Sequence, residues 1–317
     1  MRRRMTVRIA IILILSHFAR VMELLTRVRI FGISSTFLTT QNYSANHFFL
    51  AKDKSSILVL LLSLLVPLVI LSSSGEHGRQ GFPLDDAWIH LVYGRAVAEA
   101  GYLAYNQGIP STGSTSPLWA YFLGVIHVLF KKVSLIIWGA KFVGILLHSL
   151  TTYLSFQLLF FLTRSKPASL LASLLVGLCP PLVTSSFSGM EISLATATFL
   201  SGAYAYARER WALSGIFLGL SGLTRPEFAT AITILLLSLL GRVLKKKLPL
   251  TKLMAFFLPI ASLAILNLGW NRLVGGRPFP ATFYVKASLG SGPGLLERLS
   301  TGSVSYTHLT LPTNREV

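Results

Sequence analysis

Apolar runs close to twenty residues long alternate with short basic or glycine-rich breaks along most of this chain, and that alternation predicts helices solvated by lipid. The clearest run is 56–72 (SILVLLLSLLVPLVILS), preceded by Lys52 and Lys54, whose charges place its start in the cytoplasm. A long polar stretch, rich in glycine, follows and is read as external. Apolar segments then recur at 117–130, 135–162, 167–187, 192–207, 211–223, 228–244 and 253–273. Between them stand Lys131/Lys132, Arg164/Lys166, Arg208/Arg210 and Lys245/Lys246/Lys247. All four basic groups are cytoplasmic only if 135–162 crosses twice, as a tight pair of short or tilted helices turning near His148. This reading gives about nine spans. Asp85/Asp86, Met190/Glu191, Arg225/Glu227 and the stretch from Arg277 to Lys286 then all emerge on the outer face.

The ends differ from this pattern. Residues 1–55 carry Arg2, Arg3, Arg4, Arg8, Arg20, Arg27 and Arg29 around the short apolar run 9–15. A spanning helix needs about 20 apolar residues, so this segment is read as a basic surface helix or a start assigned too far upstream. No convincing small-residue cleavage site follows the run. At the other end, 304–317 (VSYTHLTLPTNREV) resembles translated sequencing-adaptor read-through. The expectation is an N-terminal fragment, with 275–303 opening an external part that continues beyond it; a genuine polar tail is the alternative.

Composition sharpens the membrane reading. Hydrophobic residues make up 52% of the chain and charged ones 13%, with a mean hydropathy of +0.63, which excludes a disordered chain and argues against a soluble enzyme. The net charge of +18 would suggest nucleic acid on a soluble protein. On this one it fits cytoplasmic loops and anionic lipid, so no nucleic-acid partner is expected. The single cysteine, Cys179, beside Pro180 and Pro181, excludes an internal disulfide or a cysteine zinc cluster and reads as a small buried hydrophobe.

Carboxylates are scarce, only 11 in all, so their positions carry weight. Glu191 and Glu227 lie against apolar helices, where an ionised group costs on the order of 3 kcal/mol, so each must pair or line a wet cavity. Residues 84–95 (LDDAWIHLVYGR) have helical periodicity, with Asp86 and His90 four apart on one side. Two acids opening a helix are ordinarily end charges or a cap. The sharper reading is a carboxylate that takes a proton from an attacking hydroxyl, its neighbour orienting it or holding a divalent cation. His90 alone is more often an interfacial histidine with its partners satisfied.

Residues 105–119 (YNQGIPSTGSTSPLW) form a turn-rich stretch entering a helix; Asn106 and Ser116 suit sugar hydroxyls, while Ser114 or Ser116 as a helix cap is the plain alternative. Glu191, in SGME, is either a dipole partner for the helix it opens or a site acid. In TRPE, Arg225 and Glu227 flank Pro226; they form a mutual ion pair, or Arg225 receives a lipid phosphate, whose geometry suits a guanidinium. GGRPFPATFYVK adds Arg277, Tyr284 and Lys286 in a loop.

Taken in order, LDDAWIHLVYGR, YNQG, TSPLW, SGME, TRPE and PFPATFYVKA resemble a bacterial family of integral membrane glycosyltransferases of the C-type (GT-C) fold, whose members include arabinofuranosyl and mannosyl transferases. The resemblance covers roughly residues 84–288 and is specific as a set. It implies an all-α, multi-span module over 56–274 with a large first external loop carrying short interfacial helices. It also implies a polyprenyl-phosphate sugar donor, a lipid or glycan acceptor in the cell envelope, and inverting transfer on the outer face of the bacterial inner membrane. By motif, Asp85 and Asp86 fall on the family's acidic pair, Glu191 on an external acidic position, and Arg225 on a basic position facing donor phosphate, with Glu227, Tyr284 and Lys286 beside it. The long basic N-terminus and the missing distal part depart from the family pattern.

Two rivals come from other classes. A transporter or lipid flippase also carries intramembrane acids and arginines, but it should show related halves, and no internal repeat is visible. A non-catalytic assembly protein would not depend on Asp85 or Asp86. No Walker-type loop or dinucleotide fingerprint is present.

Overall fold

A computed structural model describes residues 54–284, and among them the fold is helical, without a named strand. The apolar runs become α1 (Lys54–Ser73), α4 (Pro117–Leu129), α5 (Val133–Thr163), α8 (Ile192–Ala207), α9 (Trp211–Thr224), α10 (Ala229–Leu244) and α11 (Leu250–Gly275). Two shorter pieces, α6 (Lys166–Gly177) and α7 (Pro180–Ser186), meet at a 57° bend. Pro180 and Pro181 explain that break, because proline starts a helix readily but cannot continue one. The polar stretch after α1 holds α2 (Glu76–Gln80) and α3 (Asp85–Ala100).

Among the described residues four helices are long and apolar enough to cross a membrane, or five if the bent pair is one span. Their outward faces are unpartnered: Ile57, Leu61, Leu65 and Val69 of α1 and Ile265 and Leu266 of α11 are all exposed. This is a membrane-associated helical protein.

One expectation fails here. Residues 135–162 do not form a pair of short helices; α5 is a single helix of 31 residues, without a turn at His148. The polar residues around His148 satisfy themselves inside the helix. The hydroxyls of Ser149, Thr151, Thr152 and Ser155 donate to carbonyls four residues back, at 2.9 to 3.1 Å. His148 Nε2 meets the Gly177 carbonyl of α6 at 3.0 Å. At a rise of 1.5 Å per residue α5 is roughly 46 Å long, so Lys131/Lys132 and Arg164/Lys166 stand at opposite ends of it. The four basic groups therefore do not share one face.

Contacts sort the remaining helix ends into two sets. At the basic end, the Arg164 and Arg208 guanidiniums both sit over the Phe161 ring, at 5.3 and 5.5 Å, and Arg242 pairs with Glu209. At the acidic end, Leu71 of α1 packs with Ile145, Val183 and Phe187. There the Trp119 indole donates to the Gly189 carbonyl at 2.9 Å, and the Ala281 amide donates to the Thr112 carbonyl at 3.1 Å. Running between the two ends are α1, the second half of α5, the α6–α7 pair, and α8 to α11. Small residues set the close approaches: Gly144 lies against the Ser186 backbone, and a Cβ on Gly202 would meet Leu218 at 2.6 Å.

Candidate functional site

The site grows from the start of α3. Leu84 is extended after Pro83, and Asp85 and Asp86 occupy the first helical turn, exposed, with no side-chain cap at Leu84. One turn on, His90 is buried, because α3 lies flat on α4: a Cβ on Gly94 would meet Leu123 at 2.6 Å. The opposing wall is the turn before α8. Gly189 has φ +81, a conformation that L side chains rarely adopt, and a Cβ there would fall 2.6 Å from the Phe82 ring. Pinned further by the Trp119 hydrogen bond to its carbonyl, this turn delivers Glu191 to the face of His90.

His90 Nε2 lies 3.1 Å from Glu191 Oε2, and both side chains are more than nine-tenths buried. From the third side comes Arg225, extended between α9 and the short 3-10 turn Pro226–Phe228. Its NH1 is 3.8 Å from Glu191 Oε1 and its Nε is 3.6 Å from Glu227 Oε2. Burial alone pushes the Glu191 carboxyl up, but the His90 contact, the backbone amide and the Arg225 charge outweigh it and hold the group below the usual carboxylate range. Glu191 is thus an anion held between the His90 imidazole and the Arg225 guanidinium. The His90 contact is poorly aligned as a hydrogen bond, and His90 Nδ1, Glu191 Oε2 and Ser116 Oγ are buried without a hydrogen-bond partner.

Placement of the other expected residues is uneven. Asp85 and Asp86 stand on the same end as Glu191 and Arg225, with Asp86 one turn from His90, and neither makes an ion pair among the described residues. Glu227 joins the cluster from the solvent side. Ser116 precedes α4 but does not cap it; Ser114 Oγ instead accepts from the Ser116 amide at 3.4 Å. Asn106 is exposed in a separate cleft with Arg95, Glu99 and Tyr102, and neither His90 nor Glu191 lines it. Tyr284 stacks under Arg277 at 4.9 Å and accepts from the Phe279 amide at 3.5 Å, in the segment docked on Thr112, without a contact to Glu191. Lys286 lies outside the described residues, as do 1–53 and the tail 304–317.

Among the described residues no three His, Cys, Asp or Glu side chains gather at one point. Asp85 and Asp86, as neighbours on a helix, point about 100° apart.

Lys141 was absent from the expectations. Fully buried on α5, its ammonium donates to the Gly78 and Arg79 carbonyls at 2.6 and 3.0 Å and faces the Phe82 and Trp138 rings. It ties the segment before α3, including the Phe82 that braces Gly189, to the bundle. A lone cation inside an apolar run was the available signal. No family model, curated protein or solved structure matches this chain.

Proposed function

We propose that the chain is a membrane glycosyltransferase of the C-type fold that moves a sugar from a polyprenyl phosphate to a cell-envelope acceptor, with the acidic end on the outer face of the bacterial inner membrane. The observation that carries this reading is the buried Glu191 carboxylate, held between His90 and the half-buried Arg225, with the exposed Asp86 one turn from His90. Two buried polar atoms without a hydrogen-bond partner, His90 Nδ1 and Ser116 Oγ, belong to the elements that meet there, which suits a site awaiting a polar ligand. The four or five helices among the described residues that are long and apolar enough to cross a membrane support the membrane part of this reading.

In this reaction an acceptor hydroxyl oxygen attacks the anomeric carbon from the side opposite the donor phosphate. A new carbon–oxygen bond forms, the anomeric carbon–phosphate oxygen bond breaks with its electron pair leaving on the phosphate, and Asp85 or Asp86 takes the hydroxyl proton. Arg225, two-fifths exposed, faces the phosphate and stabilises the charge that grows on it. Glu191 holds Arg225 and His90 in place. No step runs through a cation.

The test is transfer by the intact protein in lipid, supplied with radiolabelled polyprenyl-phosphate sugars and membrane acceptors. Asp85→Asn or Asp86→Asn lowers turnover by about 10² to 10⁴ while donor retention stays unchanged. Wild-type turnover in both variants ends the assignment.

A further inference from the structure

With α5 unbroken, Lys131 and Lys132 stand at its far end from Arg164, about 14 Å beyond the level of Lys141, and the positive-inside pattern no longer accounts for them. Both are exposed and neither meets a carboxylate among the described residues. They join two helices whose outer faces are apolar and uncovered. On α4, Tyr121, Phe122, Val125, Val128 and Leu129 are exposed at helical spacing. On α5, Leu135, Trp138, Phe142 and Leu146 continue the same surface, while Ile136, Ile137 and Ala140 face the core.

Between α3 and α4 this surface folds into a shallow apolar cleft lined by Val97, Tyr121, Gly124, Val125 and Val128. At its floor the helices touch, since a Cβ on Gly124 would lie 2.6 Å from Val97. The cleft runs toward Leu129, two residues before the lysines. An apolar trough that reaches Leu129, two residues before a pair of exposed lysines, with Tyr121 on its wall, is complementary to a molecule with a hydrocarbon chain and an anionic head.

We infer that the α4–α5 corner is a docking site for an anionic glycerophospholipid of the surrounding leaflet, one acyl chain lying in the α3–α4 cleft and the phosphate held by Lys131 and Lys132. Lys131 is fourteen residues of helix and turn from Pro117, roughly 20 Å, so the bound lipid lies apart from the Glu191 cluster and is not the sugar donor. The inference rests on the membrane placement of the helices and not on sugar transfer.

The intact protein in bilayers containing a photoreactive phosphatidylglycerol, with labelled residues mapped by peptide mass, tests this directly. Labelling of 121–138 is expected in the wild type, with a photoreactive phosphatidylcholine giving far less. Lys131→Ala with Lys132→Ala lowers the phosphatidylglycerol signal by roughly 25-fold, about fivefold per lysine. Lys131→Arg with Lys132→Arg restores it, which separates charge from misfolding. Val125→Glu with Val128→Glu, both on the exposed face, abolishes it. Unchanged labelling in the double alanine variant overturns the proposal, as does equal labelling by the two lipids. Displacement by stoichiometric polyprenyl phosphate, or a dimer lost on substitution, overturns it in favour of the donor or a second copy. None of these readouts depends on catalysis.

Discussion

Each end of the helix bundle carries a carboxylate set against cations, and the two differ in kind. At the basic end Arg242 and Glu209 approach to 2.6 Å, but their side chains are 38% and 57% exposed. At the acidic end His90 and Glu191 are farther apart, at 3.1 Å, yet only 8% and 7% exposed. The shorter contact is the weaker one. Water screens the surface pair and side-chain entropy opposes it, whereas the buried anion has lost its hydration and depends on its two partners. The basic end therefore holds a solvated face, and the acidic end holds an arrangement that other contacts must enforce: Gly189 in its left-handed turn, Phe82 behind it, Trp119 on its carbonyl and Lys141 underneath.

The comparison can be broken most directly at Glu191. Glu191→Ala strands His90 and Arg225 beside an empty pocket and should destabilise the protein by about 3 kcal/mol, seen as a thermal midpoint lowered by roughly 10 °C in lipid or detergent. A midpoint equal to wild type would make the two ends equivalent. Next comes Gly189→Ala, which forces a Cβ into the left-handed region and against Phe82, for about 2 kcal/mol. It should also reduce activity, because Glu191 is aimed by that turn.

Acid provides a reversible version of the first test. Since the folded Glu191 carboxyl is held below its ordinary value, its stabilisation is fully present above the unfolded carboxylate pKa. That stabilisation is lost as pH falls through the depressed folded value. Thermal midpoints measured from neutral pH down through the carboxylate range should show an acid limb that Glu191→Gln flattens. The smallest effect belongs to Glu209→Gln, at under about 1 kcal/mol, with no change in activity. A larger loss there would mean that the basic end is more than a solvated surface.

Much of the local structure is legible in the residues. The runs 192–207 and 211–223 correspond within a residue to α8 and α9, and Pro117 opens α4 as expected. Four of the expected site residues, His90, Glu191, Arg225 and Glu227, meet, and Asp86 stands one turn away. Elsewhere, rules that work on average mislead. Counting basic residues demanded a hairpin in 135–162, although that run contains no proline and its hydroxyls can bond to their own helix. Ser116 has the composition of a cap but does not act as one. Lys141, which the sequence reading passed over, is a strap to carbonyls 62 and 63 residues away.

Hydrophobic length and proline position act within a few turns of chain, so they alone decide that these residues are helical, where most helices begin, and that several are apolar enough for lipid. Which helix ends share a face is another matter. It depends on contacts between residues dozens of positions apart, such as Trp119 with Gly189 or His90 with Glu191, and on glycines that let particular helices touch. Only the packed bundle converts a scarce set of charges, scattered along the chain, into one buried cluster and one exposed fringe, because burial is a property of neighbours rather than of residue type.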